Sequence, residues 1–425
     1  MTLLIKNARV IDPATGTDKV EDIFVENNVI RKRGENLNSD ADEVIDASGM
    51  IAMPGLIDLH VHLRDPGFEY KETVETGTMA AAAGGVTTVF AMPNTKPVTD
   101  SPSVVKDIIK RAEEYGYANV SPVAAVTIGQ EGRELTDLDA LKEAGAIAIS
   151  EDGKSVMDSW TYREAMKKAA ELDMTVLAHC EDKPLVHGGV VNDDELTRAA
   201  GLPGISNSVE DIITIRDILL AKETGAKLHL CHVSTSGAVE MIKEAKAKGL
   251  KVTGEVCPHH FILSTEDMDM TDANYKMNPP LRTKEDVNAL KEGLRDGIMD
   301  VISTDHAPHS EEEKAKGMID APFGIVGIET SVALTITELV EKGYLTYMQM
   351  AEKMSYNPAQ IIGLDKGNIA PGKVADIVIF DPKKKYTIDK NTFASKGKNT
   401  PFHGRKVQGK VRATIVNGHI VYEEN

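Results

Sequence analysis

Through the middle of the chain, apolar and β-branched residues collect in eight short runs, at 56–63, 87–93, 120–127, 146–152, 174–180, 227–233, 251–257 and 300–307. Between them lie longer segments, among them 71–83, 103–115, 161–171, 209–224 and 237–248, where Ala, Glu, Lys and Leu recur at helical spacing. Several close on glycine, at Gly84-Gly85, Gly225 and Gly249, as helix C-termini require. Eight strands alternating with helices predict an α/β fold, a (β/α)8 TIM-type barrel over residues 55–364. An open doubly wound sheet is the alternative, but no glycine-rich phosphate loop follows the first strand.

The flanks follow another pattern. Residues 22–31 read as a hairpin around Asn27-Asn28, 375–380 as a strand, and 413–422 as a hairpin turning at Asn417-Gly418. Neither end holds enough apolar residues for a core of its own. The two are therefore expected to pair into one small β-sandwich domain made of residues 1–54 and 365–425.

Composition narrows the function classes. Hydrophobic residues at 41% and charged residues at 27% describe a soluble protein with ample core. The net charge of −18 argues against nucleic acid or an anionic membrane as partner, though a local arginine or metal can still attract an anionic substrate. The opening apolar run is too short for a signal peptide, and no stretch approaches the roughly 20 residues of a membrane span. The three cysteines, Cys180, Cys231 and Cys257, lack paired spacing, so a reducing cytoplasm is expected. Their simplest role is as small buried hydrophobes.

Chemistry in such a barrel belongs at the C-terminal ends of the strands. The first strand ends in His60, His62 and Arg64, the fourth in Asp152, the fifth in His179, the sixth in His232 and the eighth in Asp305. In a strand, residues two apart share a face, so His60 and His62 can converge on one cation. Four histidines and two aspartates buried unpaired would cost several kcal/mol each. A bound dication removes that cost, and six ligands exceed the needs of one tetrahedral zinc, which points to two metals. Water held there loses a proton near neutral pH, and a neighbouring carboxylate must then carry that proton to the leaving group. Asp305, ending the last strand, is the candidate. Glu151 alternates to the opposite face and reads as structural; His306 and His229 have the wrong parity for ligation.

Arg64 lies two residues beyond His62, so strand alternation places it near the metal, where a guanidinium can grip a planar carboxylate. A structural salt bridge with Asp65 or Glu69 is the alternative. The stretch 310–327, rich in glycine and charge, predicts a mobile loop over the end of the eighth strand.

The motifs Gly55-Leu-Ile-Asp-Leu-His-Val-His-Leu-Arg-Asp-Pro-Gly67, Met92-Pro-Asn-Thr95, Leu230-Cys-His-Val-Ser234 and Ser303-Thr-Asp-His-Ala-Pro-His309 resemble the amidohydrolase superfamily. Within it they are similar to the bacterial class I dihydroorotases, nearly end to end. The resemblance implies that His60 and His62, with Asp305 close by, hold one zinc ion, and that His179 and His232 hold the second. It gives Asp152 the bridging position that a carboxylated lysine takes in many relatives; Lys154, two residues on, is the alternative bridge. His62, Arg64, Asn94, Asn278 and His309 would bind substrate, and the backbone at Phe323 and Gly324 would complete the pocket. His259 and His260 are not expected to ligate, though they can support residues that do.

The implied activity is the reversible cyclisation of N-carbamoyl-L-aspartate to L-dihydroorotate in pyrimidine synthesis, with a bridging hydroxide as nucleophile and Asp305 as general acid/base. An allantoinase or hydantoinase, or a catalytically inactive scaffold, are the rival readings. A homodimer and association with aspartate carbamoyltransferase are the partner expectations that the family carries.

Overall fold

A computed structural model describes residues 2–37 and 40–424. Each apolar run contains a strand: Leu56–Val61, Val86–Ala91, Asn119–Pro122 continued by Ala124–Ala125, Ala148–Ser150, Thr175–Ala178, Lys227–Leu230, Val252–Val256 and Val301–Ile302. Successive strands pair in parallel, in the order a barrel requires. The third strand changes partners at Val123, pairing with the second before it and the fourth after it. Between the last and first strands a single parallel bridge, Val61 to His306, stands in for a ladder, and His62 N donates to His306 O at 2.9 Å.

Helix starts are set by capping rather than by helical spacing alone. In the 71–83 segment the helix is Val74–Ala83, because Thr73 is extended and accepts from Thr76 N as a capping box. That leaves Lys71 and Glu72 outside the helix. The close approach of the first two strands requires a glycine at Gly55: a Cβ there would lie 2.2 Å from Thr87 Oγ1.

Both ends of the chain enter one eight-stranded sheet, with Ile51–Pro54 between the C-terminal strand Ile377–Thr387 and the N-terminal strand Thr2–Asp12. The predicted turns at Asn27 and Asn417 are present, each residue at positive φ. Leu3, Ile5, Val10, Ile23, Ile377, Ile379 and Ile415 close this sheet's own core, separate from the barrel's. No helix among the described residues is long and apolar enough to cross a membrane.

Every barrel strand stops before its apolar run does, and the residues beyond leave the ladder. Arg64 (φ 61°), His232 (φ 36°) and Asp305 (φ 48°) all take left-handed backbone there. That conformation costs a non-glycine residue about 1–2 kcal/mol and persists only where the surroundings impose it. The 310–327 stretch also differs from expectation. It contains two short helices, Glu311–Lys314 and Gly317–Asp320. Buried Lys314 Nζ ties the stretch down by donating to the carbonyls of Lys276 (3.2 Å), Pro322 (3.0 Å) and Gly324 (3.0 Å).

Candidate metal centre and active site

All six predicted ligands meet at the C-terminal end of the barrel, and all are buried. Asp152 lies among the four histidines: its oxygens are 3.3 Å from His60 Nε2, 3.5 Å from His62 Nε2, 3.5 Å from His179 Nδ1 and 3.8 Å from His232 Nε2. Asp305 Oδ1 sits 3.1 Å from His62 Nε2 and 3.5 Å from His60 Nε2. Lys154, the alternative bridge, is exposed.

The donors fit a cation better than they fit one another. His60 Nε2, His179 Nε2 and His232 Nδ1 are buried without a hydrogen-bond partner among the described residues, a costly state unless something else satisfies them. His179 Nδ1 and His232 Nε2 face each other at 2.9 Å. Two groups, His60–His62–Asp305 and His60–Asp152–His232, each bring three donor atoms within 4.8 Å of one another. Imidazole and carboxylate are borderline and hard donors, suited to zinc or a similar dication.

Electrostatics agree. Burial opposes charge on His60, but the Asp305 and Asp152 carboxylates outweigh it and hold its pKa well above the usual range. His179 is pushed up to about 10: burial works against the shift, and Asp152 and Glu181 drive it. Burial likewise disfavours ionised Asp152 and Asp305, yet the neighbouring imidazoles keep both below the ordinary carboxylate range. The cluster demands positive charge, which imidazolium or a bound cation can supply. His62 shifts the other way from His60 and His179: it is lowered, by burial and then by Arg64.

The cavity in front of these residues has a volume of 200 Å³ and is walled by Arg64, Asn94, Asn278, His309, Phe323 and Gly324 as well as by every donor but His60. Asn94 Nδ2 donates to Asp152 at 3.0 Å, so its Oδ1 faces His62 Nδ1 at 2.8 Å. An amide oxygen only accepts, so His62 carries its proton on Nδ1 and turns the Nε2 lone pair toward the centre. Asn278 Nδ2 donates to Glu181 at 2.7 Å.

Arg64 reaches this cavity by a route that strand parity did not describe. The strand ends at Val61, and the left-handed turn at Arg64 swings the side chain inward. Its Nε donates to Pro308 O at 3.3 Å, and its terminal nitrogen lies 3.3 Å from His309 Nε2. The alternative salt bridges do not form: Asp65 pairs with Arg111 at 2.8 Å, and Glu69 accepts from Gly67 N. His309 Nε2 donates to Phe323 O at 2.8 Å, while Lys71 Nζ lies 3.3 Å from Nδ1. Burial, followed by the cations Arg64, Lys71 and Lys314, keeps His309 far below its usual pKa.

The remaining polar residues settle outside the ring. Glu151 accepts from the backbone of Val126 and Thr127. His306 turns to Glu72 at 3.4 Å. His260 Nε2 donates to Pro279 O at 2.9 Å, next to Asn278. Sequence reasoning missed Glu255, Glu181 and Lys71. Glu255 left a signal, a lone charged residue inside an apolar strand, 252–256; Glu181 and Lys71 sit in ordinary polar stretches and left none.

Comparison with known proteins points the same way. A family model described as Dihydro-orotase-like matches residues 49–238, and one described as Amidohydrolase family matches 232–422. The dihydroorotase of Pelotomaculum thermopropionicum is 50% identical over 424 residues, covering 100% of this chain and 99% of that protein. The dihydroorotase of Geobacter metallireducens is 49% identical and covers 100% of both. Among solved structures, the L-hydantoinase (dihydropyrimidinase) from Arthrobacter aurescens has a TM-score of 0.89 at 27% identity, covering 100% of this chain and 96% of that one. The dihydropyrimidinase from Brevibacillus agri has a TM-score of 0.86 at 27% identity, covering 100% and 95%.

Proposed function

Because this chain belongs to the dihydroorotase family, we propose that it interconverts N-carbamoyl-L-aspartate and L-dihydroorotate on two zinc ions. The ligands are His60, His62, Asp152, His179, His232 and Asp305. One observation carries the substrate assignment: Arg64 is half-buried in the cavity wall and has no carboxylate partner of its own among the described residues. A guanidinium so placed is completed by an anionic substrate group.

Bound metal would supply Lewis-acid polarisation of the scissile carbonyl and a water acidic enough to attack it. The chain's own residues supply the rest. Arg64 grips the carboxylate, and Asn94 and His309 beside it help fix the ring, so that the carbonyl meets the attacking oxygen in one orientation. In ring opening the oxygen–carbon bond forms and the ring carbon–nitrogen bond breaks. Asp305, held ionised by its histidines, accepts the proton released from water and returns it to the departing nitrogen. Asn94 keeps His62 in one tautomer throughout.

The hydantoinase reading has one observation in its favour, the likeness to solved hydantoinases. A simple hydantoin or dihydropyrimidine ring offers no carboxylate to Arg64. The test is turnover of dihydroorotate, dihydrouracil and allantoin by the purified protein, followed spectrophotometrically and paired with zinc counting. Turnover of dihydroorotate alone supports the proposal. Turnover of the uncharged rings alone, or a protein that binds no zinc and gains no activity from it, defeats it.

A further inference from the structure

Behind the ring of donors lies a carboxylate that does not line the cavity. Glu255, in the strand Val252–Val256, is fully buried, and no lysine or arginine pairs with it among the described residues. Three N–H groups satisfy it instead. Oε1 faces His60 Nδ1 at 3.0 Å and accepts from the backbone N of His232 at 3.1 Å. Oε2 faces His229 Nε2 at 3.0 Å.

An ionised carboxylate only accepts hydrogen bonds, so the tautomers around it follow. His60 must carry its proton on Nδ1, which leaves the Nε2 lone pair pointing into the ring, where it has no hydrogen-bond partner. His229 must carry its proton on Nε2, and its Nδ1 lies 2.8 Å from Thr253 Oγ1, positioned to accept from that hydroxyl. The arrangement needs an ionised Glu255. Three N–H groups converging on its two oxygens at 3.0–3.1 Å favour that form.

We infer that Glu255 is a positioning residue: it fixes the tautomer and raises the basicity of His60, and it anchors the left-handed backbone of His232, so that two predicted ligands on different strands are held by one carboxylate. The inference rests on the metal reading above. Carboxylates hydrogen-bonded to ligand histidines tune metal affinity by about 10- to 100-fold. The geometry also explains His229, whose parity excludes it from the ring. It is the third support of Glu255, and it spends its other nitrogen on Thr253.

Two substitutions separate charge from shape. In Glu255→Gln the amide oxygen can keep His60 and His232 while its NH2 faces His229, which can change tautomer against the Thr253 hydroxyl. Only the charge is then lost. In Glu255→Leu the acceptor itself is gone. The measurement is zinc affinity of the full-length protein, by competition with a chromophoric chelator, alongside thermal melting of the metal-free forms. Affinity should fall in the order wild type, Gln, Leu, by about tenfold for Gln and about a hundredfold for Leu. A role confined to packing would shift melting and leave affinity in the folded variant alone. If the Leu variant does not fold, the Gln variant decides. Zinc affinity of Glu255→Gln within threefold of wild type overturns the inference while leaving the proposed function standing. A wild-type protein that binds no zinc overturns both.

Discussion

Replacing Arg64 with Met probes the substrate assignment most directly. The substitution keeps an unbranched stem in a half-buried wall position, and it keeps a non-glycine residue at φ 61°, so the backbone cost is nearly unchanged. What it removes is a cation. Arg64 gives up only long contacts at 3.3 Å, to Pro308 O and toward His309, and no ion pair. Removing a half-buried charge without a carboxylate partner relieves its desolvation, so the melting temperature should hold steady or rise. Binding of a carboxylate substrate should suffer. Hydrogen bonds to a charged group contribute about 1.5–3 kcal/mol each, so losing a two-pronged contact should cost about 3 kcal/mol, or about a hundredfold in kcat/KM. The assay pairs kcat/KM for dihydroorotate with the inhibition constant of an uncharged ring such as dihydrouracil. The first should fall about a hundredfold and the second should hardly move. Equal losses would show general damage to the cavity, and no loss on dihydroorotate would refute the carboxylate clamp. A second signature has a fixed sign: after burial, Arg64 is the leading cause of the low pKa of His309, so that pKa must rise in the variant.

Asp305→Asn should lower kcat by at least a hundredfold, because an amide cannot take and return a proton, and pre-steady-state kinetics on metal-loaded protein would check it; kcat within tenfold of wild type would remove Asp305 from the proton path. Lys314→Met should raise KM for dihydroorotate by about tenfold with a smaller change in kcat, since its ammonium holds the carbonyls of Pro322 and Gly324 beside the cavity; an unchanged KM would mean that the segment holds its shape without it. Lys353 tests the electrostatics of the core. It is buried with its Nζ donating to Met299 O at 2.7 Å, and burial lowers its pKa to about 8. Between pH 8 and about 10.4 the unfolded chain therefore binds this lysine's extra proton, and the Lys353 contribution to stability should rise with pH by about 3 kcal/mol across that window. Denaturant melts at several pH values should show the stability difference between wild type and Lys353→Met changing by that amount across the window, since other titrating groups contribute equally to both; parallel pH dependences would contradict it.

The cluster of predicted ligands was legible because its signals are local. His60 and His62 are two residues apart at the end of an apolar run, and His179, His232, Asp152 and Asp305 repeat the same placement. The rule that chemistry lies at strand C-termini did the gathering, since parallel strands all present those ends to one side. Arg64 was located correctly for an incomplete reason. Alternation cannot apply beyond Val61, and the inward direction comes from a left-handed turn that no periodicity announces. Glu72, counted at first within a helical stretch, falls outside it because Thr73 caps.

By itself, then, the sequence determined the order of strands and helices, the side of the barrel that carries chemistry, and the residue types that converge there. Each of these depends on spacing within a few residues or on the uniform direction of parallel strands. Only the tertiary structure decided which polar groups stand behind that ring. Glu255 meets His60 from 195 positions away, Lys71 meets His309 from 238, and Lys314 reaches three carbonyls across two loops. Such contacts are set by how successive parallel strands pack side by side and how caps and turns redirect single side chains, and no short-range pattern encodes them.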